Sequence, residues 1–460
     1  MRLLRWTAAA LAAALLAACG GGNDDPPARG AVLSGLVLGQ ADKATIDAGT
    51  AASGLQALSG AARCDVTIRY VQYSTRAPGG KAANASAGVL VPGGTDPACT
   101  GPRPVVLYAH GTATNKSKNM ALVSSDTEAG LQMAMYAAQG FIVVAPNYLG
   151  YDGSLDWHPY LNAQAQATDM IDGLRAAKAH LAEVGGTTAS PILLLTGYSQ
   201  GGYVAMATHR EIETNYASEF QVTASVPMSG PYNLVGFSDI ITAPQGQVNA
   251  GALVFTPLLL TSYQRSYGDV YASPSDAYQS PYDTTAPGIF PSDSSVADLM
   301  AAGKLPADPT LRSLWGEGGL LKDSFRAGYL AQIGQATQTG FRKHLVENTL
   351  LGWTPSATSG VALCGGAQDP TVFFAVNTQA AQADFAQRNK LVPAFNLEDQ
   401  ASLAPLGPTN AALLYGGFQQ KKAAAGDQVL AQYHGTLVPP FCTAIARGYF
   451  AARLAALAAQ

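Results

Sequence analysis

The sequence has few charged side chains, few cysteines and no recognisable cofactor motif. Only 13% of its 460 residues are charged and the formal net charge is −4, so no basic excess exists to neutralise nucleic-acid phosphates. The HExxH zinc motif, the Walker loop and the dinucleotide fingerprint are absent, and no two of the five cysteines form a C-x₂-C pair. The sequence therefore implies neither a metal nor a cofactor. Because 48% of the residues are hydrophobic, the chain is too apolar for intrinsic disorder, and a large folded core is expected.

The amino terminus has the features of an export signal. Arg2 and Arg5 precede an apolar run over residues 8–18, which is too short to cross a bilayer as a helix. The run ends in Leu-Ala-Ala before Cys19, which resembles the lipobox of bacterial lipoproteins; an ordinary cleaved signal peptide is the alternative. The resemblance implies a lipid anchor on Cys19 that contacts a membrane, and Gly20 after the cysteine implies sorting to the outer membrane.

Beyond the signal, no stretch of the chain has eighteen uninterrupted apolar residues. Four further cysteines follow Cys19. An even number of cysteines in an exported chain indicates two disulfides. Three pairings are possible, and proximity along the sequence favours Cys64–Cys99 and Cys364–Cys442.

The pattern of apolar residues predicts an α/β fold. Alternating segments at residues 66–73 and 85–91 predict an antiparallel hairpin, and an Ala/Gly/Leu-rich segment before them, residues 36–62, predicts a short helix. Continuous apolar runs alternate with helix-like stretches further on, as in a parallel sheet that is covered on both faces. These runs are residues 105–108, 141–144, 192–195 and 222–228, with helix-like stretches at 121–139 and 162–181.

The regular alternation stops at about residue 233 and resumes near residue 361, where a strand and then a helix over residues 371–388 are expected. The intervening segment, residues 233–355, is rich in Tyr, Ser, Pro and Gly, and we interpret it as a helical lid inserted into the core. Its run 252–260 is apolar enough to line an acyl-chain site, although such a run also suits core packing. The expected organisation is a signal peptide (1–18), a lipidated tether (19–35) and one domain (36–460).

The strongest chemical motif is Gly-Tyr-Ser-Gln-Gly around Ser199. An apolar strand leads into it and a helix-compatible stretch, residues 203–213, leads out. A turn of this kind between a strand and a helix exposes the serine as a nucleophile and requires small flanking residues. The N–H of Gln200 would then face a developing oxyanion. A glycine-rich turn with an incidental serine is the alternative.

Three segments together resemble the α/β-hydrolase superfamily, and within it the secretory lipase family. They are the Ser199 turn, the pair His110-Gly111 and the segment 146–151, in which Asn147 stands where the family often has Asp. The resemblance implies an α/β-hydrolase fold, with a mostly parallel central sheet and helices on both faces. It also implies that the turn after His110 supplies a second oxyanion donor, the N–H of Thr112. His110 itself is expected to organise this loop.

The superfamily's chain order of nucleophile, acid and histidine places the base downstream of Ser199. Three histidines lie there. His209 is on the helix after the nucleophile and points away, and His344 is expected on an exposed helical face. His434, in a loop before the carboxyl-terminal helix, is the predicted base.

The acid of the same triad should follow the strand near residue 361. Asp369 lies in the loop after this strand, and we predict that it orients His434. Helix capping is the alternative role of Asp369, because Pro and Thr follow it. Asp399 and Asp427 are the rival acids.

The resemblance and these residues predict a serine hydrolase that cleaves carboxylic esters, as a lipase or esterase, through an acyl-enzyme. A small-molecule or lipid ester is the expected partner. Two alternatives remain: a peptidase of the prolyl-peptidase type, and a non-catalytic surface binding protein on a hydrolase scaffold.

Overall fold

One sheet organises the chain. The structure is a computed structural model that describes residues 26–155 and 157–459. Its strands are β1 Val32–Ala41, β2 Asp65–Arg76, β3 Ala82–Gly93, β4 Arg103–Ala109, β5 Ile142–Pro146, β6 Ala189–Tyr198, β7 Val222–Met228, β8 Gly360–Val361, β9 Leu363–Gly365 and β10 Ala394–Asn396. They follow the order β1-β2-β3-β5-β4-β6-β7-β9-β10, with β8 beside β7. The pairs β1–β2, β2–β3 and β3–β5 are antiparallel, and the other pairs are parallel.

Helices cover both faces of this sheet. The helices are α1 Lys43–Ser53, α2 Gln56–Ser59, α3 Thr127–Met135, α4 Ala163–Val184, α5 Gln200–Asn215, α6 Leu234–Thr242, α7 Ala252–Tyr267, α8 Pro274–Ala277, α9 Tyr282–Thr285, α10 Val296–Ala301, α11 Asp323–Leu330, α12 Gly340–Glu347, α13 Ala380–Gln387, α14 Pro408–Ala425, α15 Val429–Gln432 and α16 Val438–Ala458. Side chains of each central strand point alternately to two cores. In β4, Val105 and Leu107 share a core with α4, α5 and α7, whereas Val106 and Tyr108 share a core with α3, α14 and α16.

The predicted α/β class and the central strands are confirmed. The four continuous apolar runs form β4 to β7, and the predicted hairpin is β2–β3. The helix expected over residues 121–139 is shorter, because α3 begins only after its cap Asp126, whose side chain accepts the Ala129 N–H. The helix expected over residues 371–388 begins later, with a π-helical turn over Ala375–Gln379 that continues into α13.

The prediction for the segment before the hairpin is wrong in part. Residues 32–41 form strand β1 at the sheet edge, and only the part after Asp42 is helical. The tether is also shorter than predicted, since the Gly30 N–H bonds the Ser74 carbonyl and Arg29 pairs with Asp172. Pairing with β2 accounts for both differences, because the open edge of β2 supplies hydrogen-bond partners that the local sequence does not reveal. The predicted signal and Cys19 lie outside the described residues.

The segment 233–355 is helical, as expected: it contains α6 to α12 and no strand of the sheet. Its longest helix, α7, buries Leu253, Leu258 and Leu260, whereas Phe255 and Leu259 are only partly buried. Movement of this insertion as a lid stays a prediction from the sequence. Within the part of the chain that the structure describes, no helix has the length and apolar character needed to span a membrane.

Two disulfides are formed, Cys64–Cys99 and Cys364–Cys442, and these are the pairs that sequence proximity favours. The second closes a separation of 78 residues between β9 and α16. Because Asp369 follows β9 and His434 precedes α16, this bond fixes together the two segments that carry these side chains.

Candidate active site

Ser199 lies in a strained turn between β6 and α5. Its backbone has φ 60° and ψ −123°, a conformation that residues with a side chain rarely adopt. The turn is possible because Gly197 and Gly201 lack side chains: a Cβ on Gly197 would collide with the Gly201 carbonyl, and a Cβ on Gly201 with the Ala109 carbonyl. The result is a serine held at the amino terminus of α5, where N–H groups lack intrahelical acceptors.

A continuous hydrogen-bond chain links Ser199, His434 and Asp369. The Ser199 Oγ lies 2.7 Å from His434 Nε2, and His434 Nδ1 lies 2.6 Å from Asp369 Oδ2. All three side chains are largely shielded from water, with 13% of the His434 side chain and 1% of the Asp369 side chain exposed. Tyr198 also donates its hydroxyl to the His434 carbonyl at 2.6 Å, which fixes the backbone that carries the ring. This order of groups suits proton transfer from the serine to the histidine.

Asp369 makes the contacts that each of its two predicted roles requires. One carboxylate oxygen faces His434, and the other accepts the N–H groups of Thr371 and Val372 at 2.8 and 3.1 Å. The rival acids are elsewhere: Asp427 is exposed, and Asp399 is exposed and caps a short helical turn by accepting the Ala401 N–H.

The other two histidines that follow Ser199 in the sequence form hydrogen bonds away from it. His209 is buried between Ser225 Oγ at 2.8 Å and Glu213 at 3.0 Å, pointing away from Ser199 as expected. The predicted exposure of His344 is wrong. Its ring stacks on Tyr267 at 3.7 Å and its nitrogens face carboxylates of α12 and of the loop after α7, so the insertion buries it.

The residues of the two predicted oxyanion donors, Gln200 and Thr112, both have a defined relation to Ser199. Gln200 is the first residue of α5, and Thr112 lines the same groove as Ser199. The Thr112 N–H forms no hydrogen bond within residues 26–155 and 157–459, and the Thr112 hydroxyl is 3.0 Å from that of Tyr160. The Thr112 N–H is thus available to a ligand.

His110 organises the loop before Thr112, as expected. It is fully buried, stacks on Tyr148 at 4.0 Å, and faces the carbonyls of Gly111 and Asn147 at 2.6 and 3.1 Å. Burial lowers the pKa of His110. The Asn147 side chain accepts the Met120 N–H at 2.7 Å and donates to Ser86, so its amide supplies a donor that a carboxylate at this position would lack.

Glu128 on α3 holds the His-Gly turn from the other side, a contact that sequence reasoning missed. One oxygen accepts the Gly111 N–H at 2.9 Å and the Tyr108 hydroxyl at 2.8 Å, and the other faces Lys118 Nζ at 3.2 Å. Burial alone would lower the pKa of Lys118, but the charges of Glu128 and Asp126 outweigh it and raise this pKa. The Lys118 ammonium therefore remains charged at neutral pH. No local motif marks Glu128, because it lies 17 residues after Gly111 in the sequence.

His158 is a second residue that sequence reasoning did not assign to the site. Its Nδ1 faces the Leu149 carbonyl at 2.6 Å and must donate, so Nε2 accepts from the side-chain amides of Gln200 at 2.6 Å and Gln166 at 3.2 Å. Burial lowers the pKa of His158 to about 3, which keeps it a neutral acceptor. It thereby holds the side chain of Gln200. No group of three or more His, Cys, Asp or Glu residues that could bind a metal occurs in the described part of the chain.

Replacing Glu128 with glutamine is expected to lower kcat for ester hydrolysis about tenfold, with a smaller change in KM. A glutamine side chain has one oxygen, which can accept either from the Gly111 N–H and the Tyr108 hydroxyl or from Lys118, but not from all three. A hydrogen bond to a charged group contributes roughly 1.5–3 kcal/mol, so its loss is expected to affect the rate. Asp126→Asn is the matched control, because it also removes a partner of Lys118 yet keeps a good helix cap. Equal losses in the two variants would contradict a role for Glu128 in positioning Gly111.

An apolar pocket of about 100 Å³ opens beside Ser199 and Gln200. The insertion supplies much of its wall, including Phe255 and Leu259 of α7. The run 252–260 thus has one face in the core and another on this pocket. Further lining side chains are Tyr160, Leu234, Phe237, Ile241, Leu314, Trp315, Phe325, Tyr329 and Phe341.

The chain resembles known lipases and esterases in sequence and in fold. A family model for secretory lipases matches residues 118–273. The crystal structure of a ligand-bound form of the rice cell wall degrading esterase LipA from Xanthomonas oryzae is similar over 92% of this chain and 98% of that one, with 28% identity and a TM-score of 0.74. Candida antarctica lipase A shares the fold over 80% of this chain and 76% of its own, with 14% identity and a TM-score of 0.54. No curated protein matches the sequence.

The sheet, the turn at Ser199 and these similarities define an α/β-hydrolase. Within that class the chain is a carboxylic ester hydrolase similar to the secretory lipases. The two disulfides and the similarity to secretory lipases agree with export.

Proposed function

We propose that the chain hydrolyses carboxylic esters with Ser199 as nucleophile, His434 as general base and acid, and Asp369 as the group that orients His434. Ser199 Oγ attacks the ester carbonyl carbon while its proton moves to His434 Nε2. The N–H groups of Gln200 and Thr112 bind the oxyanion that forms. His434 then gives this proton to the leaving alcohol, which departs and leaves an acyl-enzyme. Water then attacks the acyl carbon while His434 takes one of its protons, and His434 returns this proton to the Ser199 Oγ as the acid leaves.

The single observation that carries this proposal is the hydrogen-bond chain from Ser199 Oγ through His434 to Asp369. Its two distances, 2.7 and 2.6 Å, lie in the range needed for proton transfer between side chains. The carboxylate on Nδ1 fixes the tautomer in which Nε2 accepts the serine proton. A buried Asp369 also stabilises the imidazolium that forms after this transfer.

We further propose that the mature chain is an outer-membrane lipoprotein anchored through Cys19. The resemblance of the sequence around Cys19 to the lipobox supports this proposal. Incorporation of labelled palmitate that is lost in Cys19→Ala is the expected result, and incorporation that persists in this variant would contradict it.

The mechanism is tested with a fluorophosphonate probe and 4-nitrophenyl butanoate. The wild-type chain should hydrolyse the ester, and the probe should label one serine, abolish hydrolysis, and be found by mass spectrometry on the peptide that contains Ser199. Absence of labelling would favour a binding protein on a hydrolase scaffold. Labelling at Ser199 with cleavage of peptides but not of esters would favour the peptidase alternative.

A further inference from the structure

Two spaces of very different size meet at the nucleophile. One is the apolar pocket of about 100 Å³, and the other is a groove of about 2200 Å³. Ser199 and Phe255 are the residues that line both. An ester bound at Ser199 therefore places one of its two parts in each space.

The chemistry of the proposed reaction assigns each part to its space. His434 lines the groove and not the pocket, together with the next residues, Gly435 and Thr436. Gln200 lines the pocket and not the groove. Because His434 must reach the oxygen of the leaving alcohol to protonate it, the alcohol lies on the groove side. The acyl group then occupies the pocket.

The groove is long and its wall is mostly apolar. One side of α14 lines it from Asn410 to Ala425, which is about 22 Å at ~1.5 Å per residue, and Leu413 on this wall is 68% exposed. Faces of α1 and α16 complete it, with Ile46 and Phe441 among their lining side chains.

The charged residues of the groove are largely engaged within the protein. Lys118 forms ion pairs with both Asp126 and Glu128. The Arg447 guanidinium donates to three backbone carbonyls. Lys421 is exposed. The wall therefore suits a neutral, apolar chain better than a charged polymer.

We propose that the preferred substrates are esters of a short acyl group with a long, neutral, apolar alcohol that lies along this groove. The inference rests on the proposed roles of Ser199 and His434 and adds the class of substrate to them. A pocket of about 100 Å³ is well below the roughly 300–1,000 Å³ of usual ligand sites and limits the acyl length, whereas the groove exceeds that range.

Two isomeric esters test the assignment directly. Decyl butanoate and butyl decanoate have the same composition, and they differ only in which side of the carbonyl carries the long chain. Measured by acid release from the same mixed detergent micelles, kcat/KM should be at least tenfold higher for decyl butanoate. Equal values or a preference for butyl decanoate would overturn the inference. Absence of 4-nitrophenyl butanoate hydrolysis would instead overturn the proposed function.

A matched pair of leucines tests the groove itself. Leu413 and Leu430 are exposed to 68% and 63%, and only Leu413 lines the groove. Leu413→Glu should lower kcat/KM for decyl butanoate at least fivefold relative to that for 4-nitrophenyl butanoate. Leu430→Glu should leave this ratio unchanged. The same ratio in both variants would contradict binding along α14, provided both melt at the wild-type temperature.

A pair of glycine-to-tryptophan substitutions tests the wall of the groove that α1 forms. Gly49 in α1 lines the groove, and Gly416 in α14 does not; a Cβ at either position would meet nothing within 4 Å. Both substitutions should therefore fold, since a glycine in a helix interior is itself unfavourable. Gly49→Trp should shorten the longest alkyl butanoate accepted in a series from butyl to dodecyl, and Gly416→Trp should not. An unchanged series in Gly49→Trp would overturn the placement of the alcohol.

Discussion

Replacing Ser199 with alanine should lower kcat for 4-nitrophenyl butanoate by about a million-fold. The reason is that, among the residues that the structure describes, the hydroxyl hydrogen-bonded to His434 Nε2 is that of Ser199, at 2.7 Å. Loss of the nucleophile of a serine hydrolase typically costs this much, and the remaining rate comes from the oxyanion donors and binding. Steady-state kinetics at enzyme concentrations high enough to detect the residual rate provide the measurement.

Folding must be unaffected for this result to be decisive. Alanine retains the backbone strain at φ 60° and removes only a hydroxyl, so the melting temperature should stay close to that of the wild type. Ser154→Ala is a suitable control, because the Ser154 hydroxyl donates to the Asn84 carbonyl, away from Ser199 and His434. A Ser199→Ala enzyme with more than a hundredth of the wild-type kcat would exclude Ser199 as the nucleophile.

Replacing Asp369 with asparagine should lower kcat by about ten-thousand-fold, with far less effect on KM. An asparagine amide can donate to His434 Nδ1, which leaves the proton on Nε2, where it blocks acceptance of the Ser199 proton. The remaining side-chain oxygen can still accept the N–H groups of Thr371 and Val372, as Oδ1 does now. The substitution therefore separates the role of Asp369 in orienting His434 from its role as a cap.

Asp399→Asn is the matched control for this substitution. Asp399 was a rival acid in the sequence, and it caps a turn in the same manner, by accepting the Ala401 N–H at 3.0 Å. We expect its kcat to equal that of the wild type. If Asp399→Asn lost as much activity as Asp369→Asn, or if Asp369→Asn retained full activity, the assignment of the acid would be wrong.

Much of the fold could be predicted because its strands carry their own signal. The continuous apolar runs of β4 to β7 are buried on both faces, so their composition reflects their place in the sheet. Strand β1 gave no such signal: Leu33, Leu36 and Val37 remain about half exposed, and the strand forms because β2 offers an unpaired edge. The burial of His344 was missed for a related reason, since Tyr267, which covers its ring, lies on another helix.

The sequence by itself determined the turn around Ser199, because the strand, the glycines and Ser199 are contiguous and their steric requirements are local. With the order of groups implied by the family resemblance, it also selected His434 and Asp369. Only the tertiary structure brought these residues within hydrogen-bond distance, and only it placed Glu128 on the Gly111 turn. The groove was likewise invisible in the sequence, because α1 and α14 are more than 350 residues apart along the chain. Contacts between distant segments are set by how helices pack on the two faces of one sheet, which no local pattern encodes.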